Sequence, residues 1–251
     1  MALLQQEAAL VKRSPSRREA LRPAASLPAD RAPSQPRSPR SVALALPNLI
    51  TYARAALLPG VPLFADQRPL IAGALYAASA LLDAVDGAAA RALGQSSAFG
   101  AFMDVAVDNG GRALLWCLAV ANGGAAPSLA ALTLLLEGLC LAATHAQHGA
   151  GAAWKSQAFG PGRRPPPLLA WLASDGLRAP QGQLLLTSLH VLPLLLFLGP
   201  AAAARGVGPG SWRALLLLPA ALRAAAAALE LWVLVEHLGR LLALDASAGR
   251  G

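Results

Sequence analysis

Apolar residues run along most of this chain in blocks of about 20, the length an α-helix needs to cross the hydrocarbon core of a bilayer. Six such blocks stand near residues 43–64, 70–90, 99–121, 126–146, 183–204 and 212–237. Short polar, Gly- or Pro-rich turns separate them, such as Ala65-Asp66-Gln67-Arg68-Pro69 and Asn122-Gly123-Gly124. The pattern predicts an all-α fold, an integral membrane bundle of six transmembrane helices. The exception to the short turns is 147–182, a Pro/Gly-rich loop with Lys155, Arg163, Arg164 and Arg178. A connection of that length is usually functional or disordered.

Composition agrees with a bilayer as solvent. Of 251 residues, 55% are apolar and 14% charged, against about 25% charged in an average soluble domain. The apolar content excludes disorder of the whole chain. Cys117 and Cys140 are the only cysteines, too few for a disulfide framework or a cysteine zinc site.

The net charge of +8 is concentrated rather than spread. Residues 1–42 carry eight Lys/Arg against Glu7, Glu19 and Asp30, with six prolines and many serines. They are expected to form a disordered basic tail with the composition of an organelle transit peptide or of a segment drawn to anionic headgroups. Residues 43–240 then form the membrane domain and 241–251 a short C-terminal tail. With the N-terminus inside, the inner side carries 15 basic residues, while the outer side has Arg68, Arg205 and Arg213. This fits the positive-inside rule, and six spans bring the C-terminus back to the same side. The expected location is the endoplasmic reticulum or an organelle membrane.

Against this background one stretch stands out. Asp83, Asp86, Asp104 and Asp108 lie within 26 otherwise largely apolar residues. An ionised Asp at membrane depth costs roughly 3 kcal/mol on insertion scales, so such acids are functional candidates by default. Asp83 and Asp86 are spaced i,i+3 and project from one helix face, while Gly100, Asp104 and Asp108 form a stripe on the next helix. If the two segments pair through the turn at 93–98, the stripes face each other. Four carboxylates converging there need a counter-charge, and an all-oxygen site suits Mg²⁺ or Mn²⁺. Gly87, Ala90 and Gly100 leave room beside the acids. A transporter with an intramembrane acidic cation site is the alternative from another class. It would not require Gly87 and Arg91 at their spacing.

From Asp83 to Asp108 the chain reads D-x2-D-G-x2-A-R-x8-G-x3-D-x3-D, which resembles the signature of the CDP-alcohol phosphotransferases. Pro47-Asn48-Leu49-Ile50-Thr51-Tyr52-Ala53-Arg54 is similar to that family's first-span motif. The resemblance implies a six-helix membrane enzyme, often a homodimer, that transfers a substituted phosphate from a CDP-linked donor to an alcohol and releases CMP. It implies Asp83, Asp86, Asp104 and Asp108 as the metal-holding acids, with Asp108 also the catalytic general base. Asp83, Asp86, Gly87, Ala90, Arg91 and Gly100 would bind the nucleotide. Asn48, Thr51, Arg54, Lys155, Arg163 and Arg164 are candidate contacts to donor or acceptor phosphates. The expected partners are CDP-diacylglycerol, a small alcohol and the bilayer, with no nucleic acid. Leu81-Leu82-Asp83-Ala84-Val85-Asp86-Gly87 leans towards inositol as acceptor, with glycerol 3-phosphate, or a CDP-amino-alcohol acting on diacylglycerol, the runner-up. Asn109 departs from the family pattern, which usually has a basic residue there.

Overall fold

Proline sets where most of the helices begin. The computed structural model describes residues 38–146 and 165–248, and within them every regular element is helical. The elements are α1 (Pro39–Ala43), α2 (Leu46–Leu57), α3 (Gly60–Ala65), α4 (Pro69–Ala92), α5 (Ala98–Ala121), α6 (Pro127–Ala146), α7 (Pro167–Leu172), a 3₁₀ turn (Ser174–Leu177), α8 (Pro180–Ala203) and α9 (Pro209–Ala248). Proline opens α1, α4, α6, α7, α8 and α9, and Pro47 falls in the first turn of α2. Its missing N–H costs nothing at that position and its φ is already helical.

The first expected span, 43–64, is divided into α1, α2 and α3. Pro59 stands at the second break, where it lacks a donor and disfavours helix in the residue before it. Among the described residues four helices are long and apolar enough to cross a membrane: α4, α6 over Pro127–Thr144, α8, and α9 over Pro209–Ala243. α5 has the length, 24 residues, but carries Asp104, Asp108 and Arg112. Pro39–Ala43 is helical inside the stretch expected to be disordered, and residues 1–37 lie outside the described residues. α9 continues past residue 240 to Ala248, since no Gly or Pro interrupts 241–248.

α8 sits centrally, in contact with α4, α5 and α9, while α2 packs on α4 and α5 and α9 packs on α6. One core joins Val61, Ala72, Tyr76, Leu115, Ala119 and Phe197 from α3, α4, α5 and α8. Trp116, Ala130 and Leu192 tie α5, α6 and α8. Leu169, Leu172 and Leu177, from the end of the long loop, pack on Leu185, Ala226 and Leu229. Large apolar side chains also point outward: Leu81 is 72% exposed and Leu217 71%. α2 is inverted in the same way. Its buried residues are Pro47, Asn48, Thr51 and Arg54, while Leu46 and Leu49 face out. Polar-inward and apolar-outward is the arrangement expected where lipid is the surroundings and a polar site lies within.

Candidate active site

Three helices bring the site together. On α2, Asn48, Thr51 and Arg54 follow at i, i+3 and i+6 along the buried face, so they descend one side of the site in order. α4 ends at the site's mouth in a Schellman motif: Gly94 takes a φ of 60°, and Gln95 N–H returns to the Ala90 carbonyl at 2.9 Å. Such a left-handed residue after a helix favours glycine. Ser97 then caps α5, its Oγ accepting from Gly100 N–H at 3.0 Å. The short link between the two caps sets α5 directly after α4, and both helices pack on α2, which lies between their acid-bearing faces.

The four aspartates meet on one side chain. Arg54 Nη1 lies 2.8 Å from Asp83 Oδ1, Asp86 Oδ2 and Asp104 Oδ1 alike, and its Nη2 donates to Asp108 Oδ1. Arg54 Nε donates to the Ser79 carbonyl at 3.1 Å, and Ser79 Oγ returns a bond to the Arg54 carbonyl at 3.2 Å. Arg54 is only 1% exposed. A planar, permanently charged fork of five donors is the one side chain that spans four carboxylates at once. Thr51 Oγ1 donates to Asp86 Oδ2 at 2.9 Å. The described bonds of the Arg54 guanidinium go to the aspartates and to Ser79.

Arg54 faces all four carboxylates and Arg112 Nη1 stands 4.0 Å from Asp108 Oδ2, so the carboxylates outnumber the cations beside them. Oxygens of Asp83, Asp104 and Asp108 lie within 4.8 Å of one another. An all-carboxylate donor set of that size fits a hard divalent cation. Asp86 stands apart from this trio; it is buried and held by Thr51 and Arg54.

Beside the cluster opens a cavity of about 150 Å³ lined by Asn48, Thr51, Asp86, Gly87, Ala90, Arg91, Gln95, Ser96, Ser97, Gly100 and Asp104, among others. It gathers the predicted nucleotide-binding residues except Asp83. Behind Arg54 a narrower cleft is lined by Tyr76, Ser79, Asp108 and His190, with Tyr76 Oη 2.9 Å from His190 Nδ1. The space at the motif glycines is used by the chain's own groups. A β-carbon on Gly100 would lie 2.6 Å from Asn48 Oδ1, and one on Gly87 would lie 3.3 Å from Arg91 Nη1. Gln95, Ser96, Ser97 and Ser79 were not singled out in the sequence; Ser97 carried a usable signal as a capping residue ahead of an apolar run. Lys155, Arg163 and Arg164 lie outside the described residues.

An all-helical membrane fold with an arginine-centred quartet of aspartates beside a polar cavity defines a class of intramembrane acidic site. A sequence profile of the CDP-alcohol phosphatidyltransferase family matches residues 44–189, more than half of the chain, and the chain belongs to that family. It is an integral membrane protein. It is 48% identical over 71 residues to the CDP-diacylglycerol--inositol 3-phosphatidyltransferase of Drosophila melanogaster, covering 28% of this chain and 32% of that protein. The human protein of the same name is 44% identical over 80 residues, covering 32% of this chain and 36% of the relative. That of Schizosaccharomyces pombe is 38% identical over 103 residues, or 41% and 42%. The matched stretch therefore spans about a third to two-fifths of these relatives. No solved structure matches the chain.

Proposed function

We propose that this protein transfers the phosphatidyl group of CDP-diacylglycerol to a small polar alcohol, with inositol as the acceptor, and releases CMP. The observation that carries this reading is the meeting of Asp83, Asp86, Asp104 and Asp108 on Arg54 beside a cavity bordered by Gly87, Ala90, Arg91 and Gly100. The inositol preference draws on the relatives, which carry that activity in their names.

In this reading Asp83, Asp86, Asp104 and Asp108 hold Mg²⁺ or Mn²⁺, which when bound neutralises the donor diphosphate and the charge on departing CMP. Arg54 keeps the four carboxylates together and fixes their spacing. Asp108, one helical turn beyond Asp104 on α5, accepts the proton of the acceptor hydroxyl as its oxygen bonds the phosphatidyl phosphorus. The bond from that phosphorus to the CMP oxygen breaks. Gly87, Ala90, Arg91 and Gly100 border the CDP moiety, with Asn48 and Thr51 on the facing helix. Lys155, Arg163 and Arg164 are the cations proposed for donor or acceptor phosphates.

The proposed topology has six crossings: the four apolar helices, α5, and α2 with α3 as one broken span. Both termini then lie on the cytosolic or equivalent inner side, behind a basic tail over residues 1–42. The proposed setting is the endoplasmic reticulum or another organelle membrane, as a homodimer.

The test is to supply the purified chain with labelled CDP-diacylglycerol, Mn²⁺ and, separately, inositol, glycerol 3-phosphate and other small alcohols, and to identify the lipid formed. Phosphatidylinositol with equimolar CMP is the expected product. Phosphatidylglycerophosphate would shift the acceptor within the family. Movement of a cation across liposomes with no CMP from any alcohol would reject the transferase reading.

A further inference from the structure

Outside the cavity, a second set of charges is buried between α5, α6 and α9. Arg112 Nε donates to Glu137 Oε2 at 3.0 Å, and Arg112 Nη2 to Asn109 Oδ1 at 2.8 Å. Its Nη1 stands 4.0 Å from Asp108 Oδ2. Glu137 Oε1 accepts from Arg223 Nη2 at 3.2 Å, and Arg223 holds Glu230 Oε2 through both Nη atoms at 3.1 Å. Arg112, Glu137 and Arg223 are each at most 8% exposed. Signs alternate along the run Asp108, Arg112, Glu137, Arg223, Glu230, which starts at the site and crosses two further helices.

Stability alone is a weak reason for such a run. A buried ion pair roughly breaks even against apolar residues of similar volume, and lipid-facing helices have Leu and Ala in abundance to replace it. Its place at the site is informative. Asp108 is gripped from one side only by Arg54, through Oδ1. Its other oxygen faces Arg112, and Asn109 is pinned from both ends, by Arg112 and by its own Nδ2 donating to the Val105 carbonyl at 2.8 Å. Arg112 is itself fixed by Glu137, which is fixed by Arg223. We infer that Arg112 is a positioning residue: the Glu137–Arg223–Glu230 strut holds its guanidinium against Asp108 and thereby keeps the Asp108 carboxylate turned into the acid cluster. This inference rests on the reading of the cluster as a cation-dependent transferase site.

The experiment measures Mn²⁺ binding by electron paramagnetic resonance, and CMP release alongside, on the full chain in nanodiscs. Arg112→Ala is expected to weaken Mn²⁺ binding about tenfold, as loss of groups that orient metal ligands does, with turnover falling at least as far. The paired replacement Arg112→Leu with Glu137→Leu removes one charge of each sign and leaves Arg223 with Glu230. It is expected to melt near the wild-type temperature yet keep the weakened Mn²⁺ binding. Adding Arg112→Ala to Asp108→Asn should weaken binding no further than Asp108→Asn alone, because both act through one carboxylate. Wild-type Mn²⁺ affinity in the paired variant, or losses that add across Arg112 and Asp108, would overturn the inference. A wild-type chain that binds Mn²⁺ and releases no CMP would reject the transferase reading while these comparisons still decide the role of Arg112.

Discussion

Gly100 exists to admit Asn48: with a β-carbon at 100 the Asn48 Oδ1 would be 2.6 Å away, too close for any carbon. The other end of the same carboxamide donates to the Val42 carbonyl at 2.6 Å, so the amide cannot swing aside without losing a bond. The side chain is 3% exposed and lies on the cavity wall. A glycine on α5 and an asparagine on α2, 52 positions apart, thus form one feature of the cavity wall.

Gly100→Ala is therefore expected to act through Asn48. Displacing a buried hydrogen-bonded amide costs about 1–3 kcal/mol, and CMP affinity measured by calorimetry should fall roughly tenfold, as it should in Asn48→Ala. The double variant should be little worse than either single one, since the two changes remove the same contact. Independent, additive losses would separate the two residues.

Arg54→Ala leaves four carboxylates facing one another. Removing one partner of a buried pair costs about 3–5 kcal/mol, so the variant should melt well below wild type without added metal. Saturating Mn²⁺ should raise its melting temperature by more than it raises that of wild type, because the cation then supplies neutralisation otherwise provided by the guanidinium. Equal Mn²⁺ shifts in both proteins would mean that Arg54 and the cation do not share the same acids.

Asp108→Asn keeps the shape of the side chain and removes its capacity to take a proton. Turnover to phosphatidylinositol should drop on the order of 10²–10⁴-fold. CMP binding should change little, because the cavity wall is formed by Asp86 and Asp104 and not by Asp108. Retained turnover would assign the base elsewhere, with His190, across the narrow cleft from Asp108, the next residue to substitute.

Chelation with EDTA should abolish CMP release, and Mn²⁺ or Mg²⁺ should restore it. Ca²⁺ should restore it poorly, since it takes 6–8 oxygens in a looser shell while three carboxylates here have donor oxygens within 4.8 Å. Full activity in EDTA would remove the divalent ion from the proposed chemistry.

Much of this protein is legible in its amino-acid sequence. Apolar blocks located α4, α5, α6 and α8 to within about three residues and the start of α9 likewise, though α9 runs on to Ala248, because in lipid the backbone must satisfy itself and helices are the available answer. The i,i+3 and i,i+4 spacing of the aspartates put them on common faces, since helical periodicity is a local property. Pro59 and the three charges of α5 were also in plain view, yet among the described residues the six apolar blocks yielded four helices apolar and long enough to cross. A block average hides a break and hides charges that another helix neutralises.

Residue types and their periods determined the helices and the acid stripes, which depend on neighbours within about two turns, and the short turn between two such stripes gave the expectation of a bound cation. Tertiary structure alone decided that Arg54 sits at the centre of the four aspartates, that Gly100 makes room for Asn48, and that Arg112 is braced through Glu137 and Arg223. Those relations join positions 25 to 86 apart in sequence, and no periodicity carries information over that range. Which charge meets which is settled by how helices pack, where burying an unpaired charge is prohibitive and each carboxylate must find its cation.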